Sequence, residues 1–175
     1  GLCRVIRIGS FSKTLSASAR CGYIAARPDW IEGLVDLQIA TNFGGPNPIS
    51  SEILAHMLTG GGYRKHMEEL RRRLVRVRRE TTDRLLRLGI EPVLMPRGGF
   101  SLWCRLPEGL DPTPVAQAAL SEGVVFAPGN VFSVSQSAAN FMRFNVAQSR
   151  DPRVIEVLRQ AIATMRQQGG VPARD

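Results

Sequence analysis

The sequence predicts an α/β protein, and three observations carry that prediction. Short β-branched runs alternate with amphipathic helical segments along the chain. Helix starts are marked by proline or Asp-Pro, and helix ends by glycine. From about residue 63 the order reads helix, two strands, helix, two strands, helix. That order implies an α/β sandwich with helices on one face of a mostly antiparallel or mixed sheet. Residues 1–58 read as the last strands and helices of a larger α/β domain.

Each element follows from its residues. Arg4 to Ile8 alternates and is β-branched, so it predicts a strand. It begins almost at residue 1, which suggests a chain cut from something longer. Gly9 to Ala19 is small and polar, hence a loop. Cys21 to Ala26 is a second short strand. Pro28 opens a helix whose apolar face is Trp30, Ile31, Leu34, Val35 and Ile39. Asn42 to Pro48 reads as a loop, and Ser50 to Leu58 as a helix ended by Gly60-Gly61-Gly62. Met67, Leu70, Leu74, Val77, Leu85 and Leu88 recur at threes and fours, with Thr81 in one slot. This predicts a helix of about seven turns, with Gly89 just past its end. Ile90–Met95 and Phe100–Leu106 are strands about the turn Pro96–Gly99. Asp111-Pro112 starts a helix that Gly123 closes. Val124–Ala127 and Phe141–Val146 are strands, and Asp151-Pro152 starts the last helix. The expected domains are 1–60, the end of a large domain; 61–167, a small C-terminal α/β domain; and 168–175, a disordered tail.

Bulk properties exclude several classes. The chain has 175 residues and a hydrophobic fraction of 43%, enough for a core of useful size. No apolar run approaches the roughly 20 residues that a membrane span needs. The three cysteines fit neither a disulfide framework nor a metal knuckle, which points to a reducing, cytoplasmic setting. His56 and His66 lack ligand spacing, and no metal is expected. The net charge of +8 raises nucleic acid as a partner, but the excess is local. Arg71, Arg72, Arg73, Arg76, Arg78, Arg79, Arg84 and Arg87 fall on the long helix, where a solvated face explains them. The sharper reading is a docking face for DNA or an acidic partner domain.

The stretch Gly9 to Thr14 invites a phosphate-loop reading. That motif needs glycine where Arg7 and Ser12 stand, so the reading fails. A lysine acting as a nucleophile needs cations or apolar cover nearby. Arg20 follows Lys13 by seven residues, and Ser10 offers a hydroxyl. On composition alone, Lys13 reads as a surface lysine and Arg143 as half of an edge-strand salt bridge.

The segment from Ser10 to Tyr23, with Ser10, Ser12, Lys13, Arg20, Gly22 and Tyr23 in place, resembles the lysine signature of class I/II aminotransferases. These are fold-type I enzymes that use pyridoxal 5'-phosphate (PLP). Ala17 stands where the family often has proline, which affects loop stiffness more than chemistry. The Lys-to-Arg spacing is similar to that of aminoadipate-type aminotransferases and MocR-type regulators. Four later segments are similar to family motifs in the same order: Gly62–Met67, Pro96–Trp103, Val125–Phe132 and Asn140–Asn145.

The resemblance implies a fold and roles. The chain would be the end of a PLP-dependent transferase large domain followed by the small domain. Lys13 would hold the cofactor as a Schiff base and shuttle the substrate proton. Ser10 and Arg20 would bind its phosphate, with Ser12 as a further contact. Arg143 would grip the substrate carboxylate. The loop 42–48 would reach a neighbouring subunit's phosphate, in a homodimer. Strand alternation, for its part, expects Phe100 and Trp103 in the core rather than as a substrate lid, and Tyr23 is expected as packing. The substrates implied are an amino acid and a 2-oxo acid. In a MocR-type regulator the same domain senses PLP or an amino acid, and DNA is bound through an upstream domain. The family's acid that pairs with the pyridine nitrogen, and its stacking aromatic, lie upstream of the lysine. The isolated chain is therefore expected to bind PLP poorly. The alternative is a basic interaction module without PLP chemistry.

Overall fold

The computed structural model describes residues 3–41 and 45–168. They divide into two compact units, with the boundary between Glu69 and Leu70.

In the first unit, β1 (Arg7–Ser10) pairs antiparallel with β2 (Gly22–Ala25). The expected strand 4–8 is shifted forward because pairing sets the ladder: Arg7 faces Ala25 and Ser10 faces Gly22. Two glycines make the pair fit. A Cβ on Gly9 would overlap the Tyr23 ring, and one on Gly22 would sit 2.8 Å from the Gly9 carbonyl oxygen. Helix α1 (Pro28–Thr41) forms as expected, but it buries none of its residues. Helix α2 (Pro48–Thr59) starts two residues before the expected Ser50. The Asn47 side chain accepts from the Ile49 and Ser50 N–H groups, and Pro48 takes the first helical position. Among the described residues of this unit, the buried apolar ones are Phe11 and Leu54.

Helix α3 (Gly62–Leu86) runs from the first unit into the second. Its end is a Schellman motif: Ile90 N–H donates to Leu85 O (3.0 Å) and Gly89 N–H to Leu86 O (2.9 Å), with Gly89 at φ +74°. Helix α4 (Pro112–Ser121) ends the same way at Gly123. The Asp111 carboxylate caps its start, accepting from Thr113 N–H at 2.8 Å. Asp151 does the same for α5 (Pro152–Gln168) at Arg153 N–H, 2.9 Å. The remainder of the expected tail, 169–175, and residues 42–44 of the expected subunit-bridging loop lie outside the described residues.

The sheet of the second unit is antiparallel throughout, in the order β3-β4-β6-β5. Its strands are β3 (Glu91–Pro92), β4 (Ser101–Arg105), β5 (Ala127–Pro128) and β6 (Phe141–Asn145). The expected strand 124–127 is displaced to 127–128. Val124 is used by the cap of α4 instead, donating to Ala119 O and packing with Ala119 and Val157. One sheet face is covered: Leu102, Cys104, Met142 and Phe144 point into a core shared with Val77, Leu85, Val115 and Leu158. Trp103, Arg105, Phe141 and Arg143 alternate onto the other face. Trp103 is therefore not a core residue, and Phe100 is exposed at the entry to β4.

The arginines of α3 divide. Arg71, Arg72, Arg73, Arg76, Arg79 and Arg87 are exposed, as a solvated face requires. Arg78 is buried at 6% exposure and donates to the carbonyl oxygens of Pro96 (3.2 Å) and Gly99 (2.9 Å). Arg84 donates to Arg150 O at 2.8 Å. These two tie the helix to loops and correct the reading of a uniform solvated face.

Candidate functional site

The first group of candidate residues sits on the turn after β1. Phe11 anchors it: the ring is buried between Tyr23 (5.7 Å between centroids) and Tyr63 (5.6 Å, edge-on). Its N–H donates to Cys21 O, and its carbonyl accepts from Thr14 and Leu15 N–H. Thr14 is held from α3, where Tyr63 Oη donates to its hydroxyl at 3.1 Å and His66 Nε2 meets its carbonyl oxygen at 2.6 Å. Lys13 lies between these anchors and is exposed. Fixing the backbone on both sides leaves only the lysine stem to move.

Ser10 and Ser12 are joined: Ser10 Oγ accepts from Ser12 N–H at 3.2 Å. Arg20 follows the short 3₁₀ turn Ala17–Ala19, which Ser16 caps, its hydroxyl accepting from Ser18 N–H. Arg20 itself is left-handed, at φ 45°. A non-glycine residue held there costs roughly 1–2 kcal/mol, and such outliers gather at functional sites. Its side chain lines a cleft of about 760 Å³ with Ile8, Gly9, Gly22, Tyr23 and Leu34. Arg20 is the one charged residue among those described that line it; Lys13, Ser10 and Ser12 are not part of its wall. The donor set suits the implied cofactor: an exposed amine for an aldehyde, and two hydroxyls and a guanidinium for a phosphate.

Arg143 belongs to the second unit, on the open face of β6, opposite Trp103 of β4 and Ala127 of β5. It is neither on an edge strand nor in a salt bridge: β6 lies between β4 and β5, and no carboxylate pairs with Arg143 among the described residues. Its guanidinium lies over the Phe132 ring, 4.4 Å from the centroid. Trp103 meets Phe132 edge-on at 5.9 Å and stacks on Phe141 at 5.6 Å. At the far end Arg105 lies over Phe141, 5.4 Å from its centroid.

Sequence reasoning expected Trp103 in the core and gave Phe132 and Phe141 no individual role. Its signal was the odd-numbered register of β4 and β6, which puts 103, 105, 141 and 143 on one face. Tyr63 and His66 as anchors of the lysine turn were also unassigned; they are 49 and 52 residues from Thr14 in sequence. Among the described residues there is no cluster of three or more metal-ligating side chains, and no helix long and apolar enough to cross a membrane.

The model of the family "Aminotransferase class I and II" matches residues 3–162. Relatives of two kinds are similar to the chain. An HTH-type transcriptional regulator of Bacillus subtilis is 32% identical over 146 residues, covering 82% of this chain and 30% of the relative. A 2-aminoadipate transaminase of Thermus thermophilus is 31% identical over 149 residues, covering 82% of this chain and 36% of the relative. Among solved structures, the α-aminoadipate aminotransferase of Thermus thermophilus, complexed with N-(5'-phosphopyridoxyl)-L-leucine, superposes with a TM-score of 0.77. It is 26% identical and covers 94% of this chain and 43% of that one. The kynurenine aminotransferase of Pyrococcus horikoshii gives a TM-score of 0.79 at 25% identity, covering 97% and 42%. The chain thus spans about a third of the length of these curated relatives. With the family model matched over nearly its whole length, the chain belongs to the class I and II aminotransferases, as part of their larger fold.

Proposed function

We propose that this chain is the C-terminal part of a PLP-binding aminotransferase domain, acting on an amino acid and a 2-oxo acid. Lys13 holds the cofactor covalently through Nζ. Ser10, Ser12 and Arg20 hold its phosphate, and Arg143 holds the substrate α-carboxylate. Residues 61–167 form the small domain, with a homodimer as the assembly and the cytoplasm as its place.

The observation that supports this most is the turn around Lys13. Buried Phe11 and the two bonds onto Thr14 brace the backbone, while the amine stays exposed. A braced, accessible amine is what a lysine needs to hold an aldehyde and then act as a base. When bound, PLP supplies an electron sink for the bond broken at the substrate Cα. Lys13 would act on that proton first as base and then as acid, moving it off the substrate Cα. Arg143 offers its N–H edge to the carboxylate in two parallel bonds, which sets the orientation of the substrate. Arg20 answers the charge of the phosphate.

A regulator reading is favoured by the similarity to the HTH-type transcriptional regulator of Bacillus subtilis. In that form the domain senses PLP or an amino acid, and DNA contact belongs to a separate domain. A winged-helix segment encoded ahead of residue 1 selects the regulator; a plain N-terminal arm selects the enzyme.

The cofactor claim is tested by borohydride reduction of the PLP-treated full-length parent protein, followed by peptide mapping. The expected product is a pyridoxyl adduct on Lys13, abolished by Lys13→Ala. Cofactor binding unchanged by Lys13→Ala would instead favour a basic interaction module.

A further inference from the structure

We infer that Phe132 is a positioning residue for Arg143, holding its guanidinium so that the N–H edge stays open for a carboxylate. The inference rests on the reading of Arg143 as the carboxylate holder.

The sequence around Phe132 is built to deliver its ring. Pro128 ends β5, and residues Gly129–Phe132 form a 3₁₀ turn. Gly129 is buried against β6, and a Cβ there would collide with Ala138 O and lie 2.8 Å from Phe141 O. No residue larger than glycine lets the turn come this close. Asn130 then locks it: its side-chain oxygen accepts from Ala138 N–H at 3.1 Å, and its carbonyl from Ser133 N–H at 3.2 Å. Phe132 emerges from this locked turn onto the open sheet face, 47% exposed, so that its ring is not spent on the core.

The ring then does two things for Arg143. A guanidinium on a flexible stem carries about 2 kcal/mol of rotamer entropy. Stacking on Phe132 at 4.4 Å restricts it before any ligand arrives. A ring partner also differs from a carboxylate partner. It accepts no strong hydrogen bond and so leaves the N–H donors free, whereas an acid would consume them. Trp103 backs Phe132 edge-on and is itself stacked on Phe141, so the ring has little room to tilt.

The test is equilibrium binding of an amino acid, and of the amine lacking its carboxylate, to the PLP-loaded protein, followed by cofactor absorbance. Phe132→Leu is expected to weaken the amino acid by about three- to fivefold, within the range of a cation–π contact at an exposed site. The amine should bind as before, and Phe132→Tyr should restore the amino acid to within about twofold of the parent. Equal loss for amino acid and amine, or no loss for either, overturns the proposal. Arg143→Ala separates the two levels. If it weakens the amino acid while Phe132→Leu does not, only the role of Phe132 falls. If Arg143→Ala leaves the amino acid unaffected, the carboxylate reading falls and takes this inference with it. Should Phe132→Leu fold poorly by thermal melting, Phe132→Met carries the same comparison.

Discussion

Arg78 donates from the inner side of α3 to the carbonyl oxygen of Gly99, 2.9 Å away, and its charge is almost wholly removed from water. A second bond, to Pro96 O, makes the guanidinium a clasp for the turn that leads into β4. Its Nε is buried without a partner, so the clasp is bought at some desolvation cost. Arg78→Met keeps the stem and removes the clasp. Hydrogen bonds to charged donors contribute about 1.5–3 kcal/mol each in favourable cases. Water can reach the exposed turn and replace part of that. The expected loss is about 1–3 kcal/mol, read as a lower denaturant midpoint at unchanged slope. Arg79→Met, one position along on the exposed side, should change the midpoint little.

Gly9 and Tyr23 are direct partners across β1 and β2, and the Tyr23 ring lies where a Cβ on residue 9 would stand. Gly9→Ala must therefore push the ring away from Phe11, disturbing the anchor of the lysine turn. The expected cost is about 1–3 kcal/mol, typical of overpacking. Tyr23→Ala should cost stability alone, but should also absorb much of the Gly9→Ala penalty. A double-mutant cycle by denaturation checks this: strictly additive costs would show that the ring and the glycine are not coupled.

How far the sequence foretold this structure depends on the range of the interaction. Caps and stops were legible at Asp111, Asp151, Gly89 and Gly123, because each acts on backbone groups within a few residues. The lysine turn was legible as a motif, but its anchors Tyr63 and His66 were not, because nothing local marks a bond across 49 or 52 residues. Alternation in β4 announced two faces without saying which was covered. Pairing with β6 turns Leu102 and Cys104 inward, and so turns Trp103 outward. Arg78 hid among eight arginines, although its spacing gave it away. It sits four residues after Leu74 and seven before Leu85, on the apolar stripe of α3. The strand expected at 124–127 failed because Val124 has a stronger local use, as the residue that closes the α4 cap.

Gly89 and Gly123 occupy the same left-handed position, both at φ +74°, but in different surroundings. A Cβ at Gly89 would stand 3.3 Å from Pro107 Cγ, while one at Gly123 would meet nothing within 4 Å. Gly123→Ala should then cost only the backbone penalty, about 1–2 kcal/mol. Gly89→Ala should cost more, since the proline ring must also yield. Equal melting temperatures for the two variants would show that Pro107 gives way freely.

Cys104 tests the covered face of the sheet through its chemistry. It is fully buried, and burial pushes its thiol up from the ordinary 9.0 to about 12. The folded state therefore keeps a proton that the unfolded chain gives up above pH 9.0. Stability from this group is complete below that pH. It then falls by up to about 1.4 kcal/mol per pH unit until the folded thiol itself ionises. Two measurements follow. At pH 8, a thiol reagent should modify the exposed Cys3 readily, and Cys104 only on unfolding. Between pH 9 and 11, the denaturant midpoint of Cys104→Ala should fall less steeply than that of the parent. Identical slopes would mean that the thiol is not shielded, and that the core between β4, β6 and α5 is more open than its packing implies.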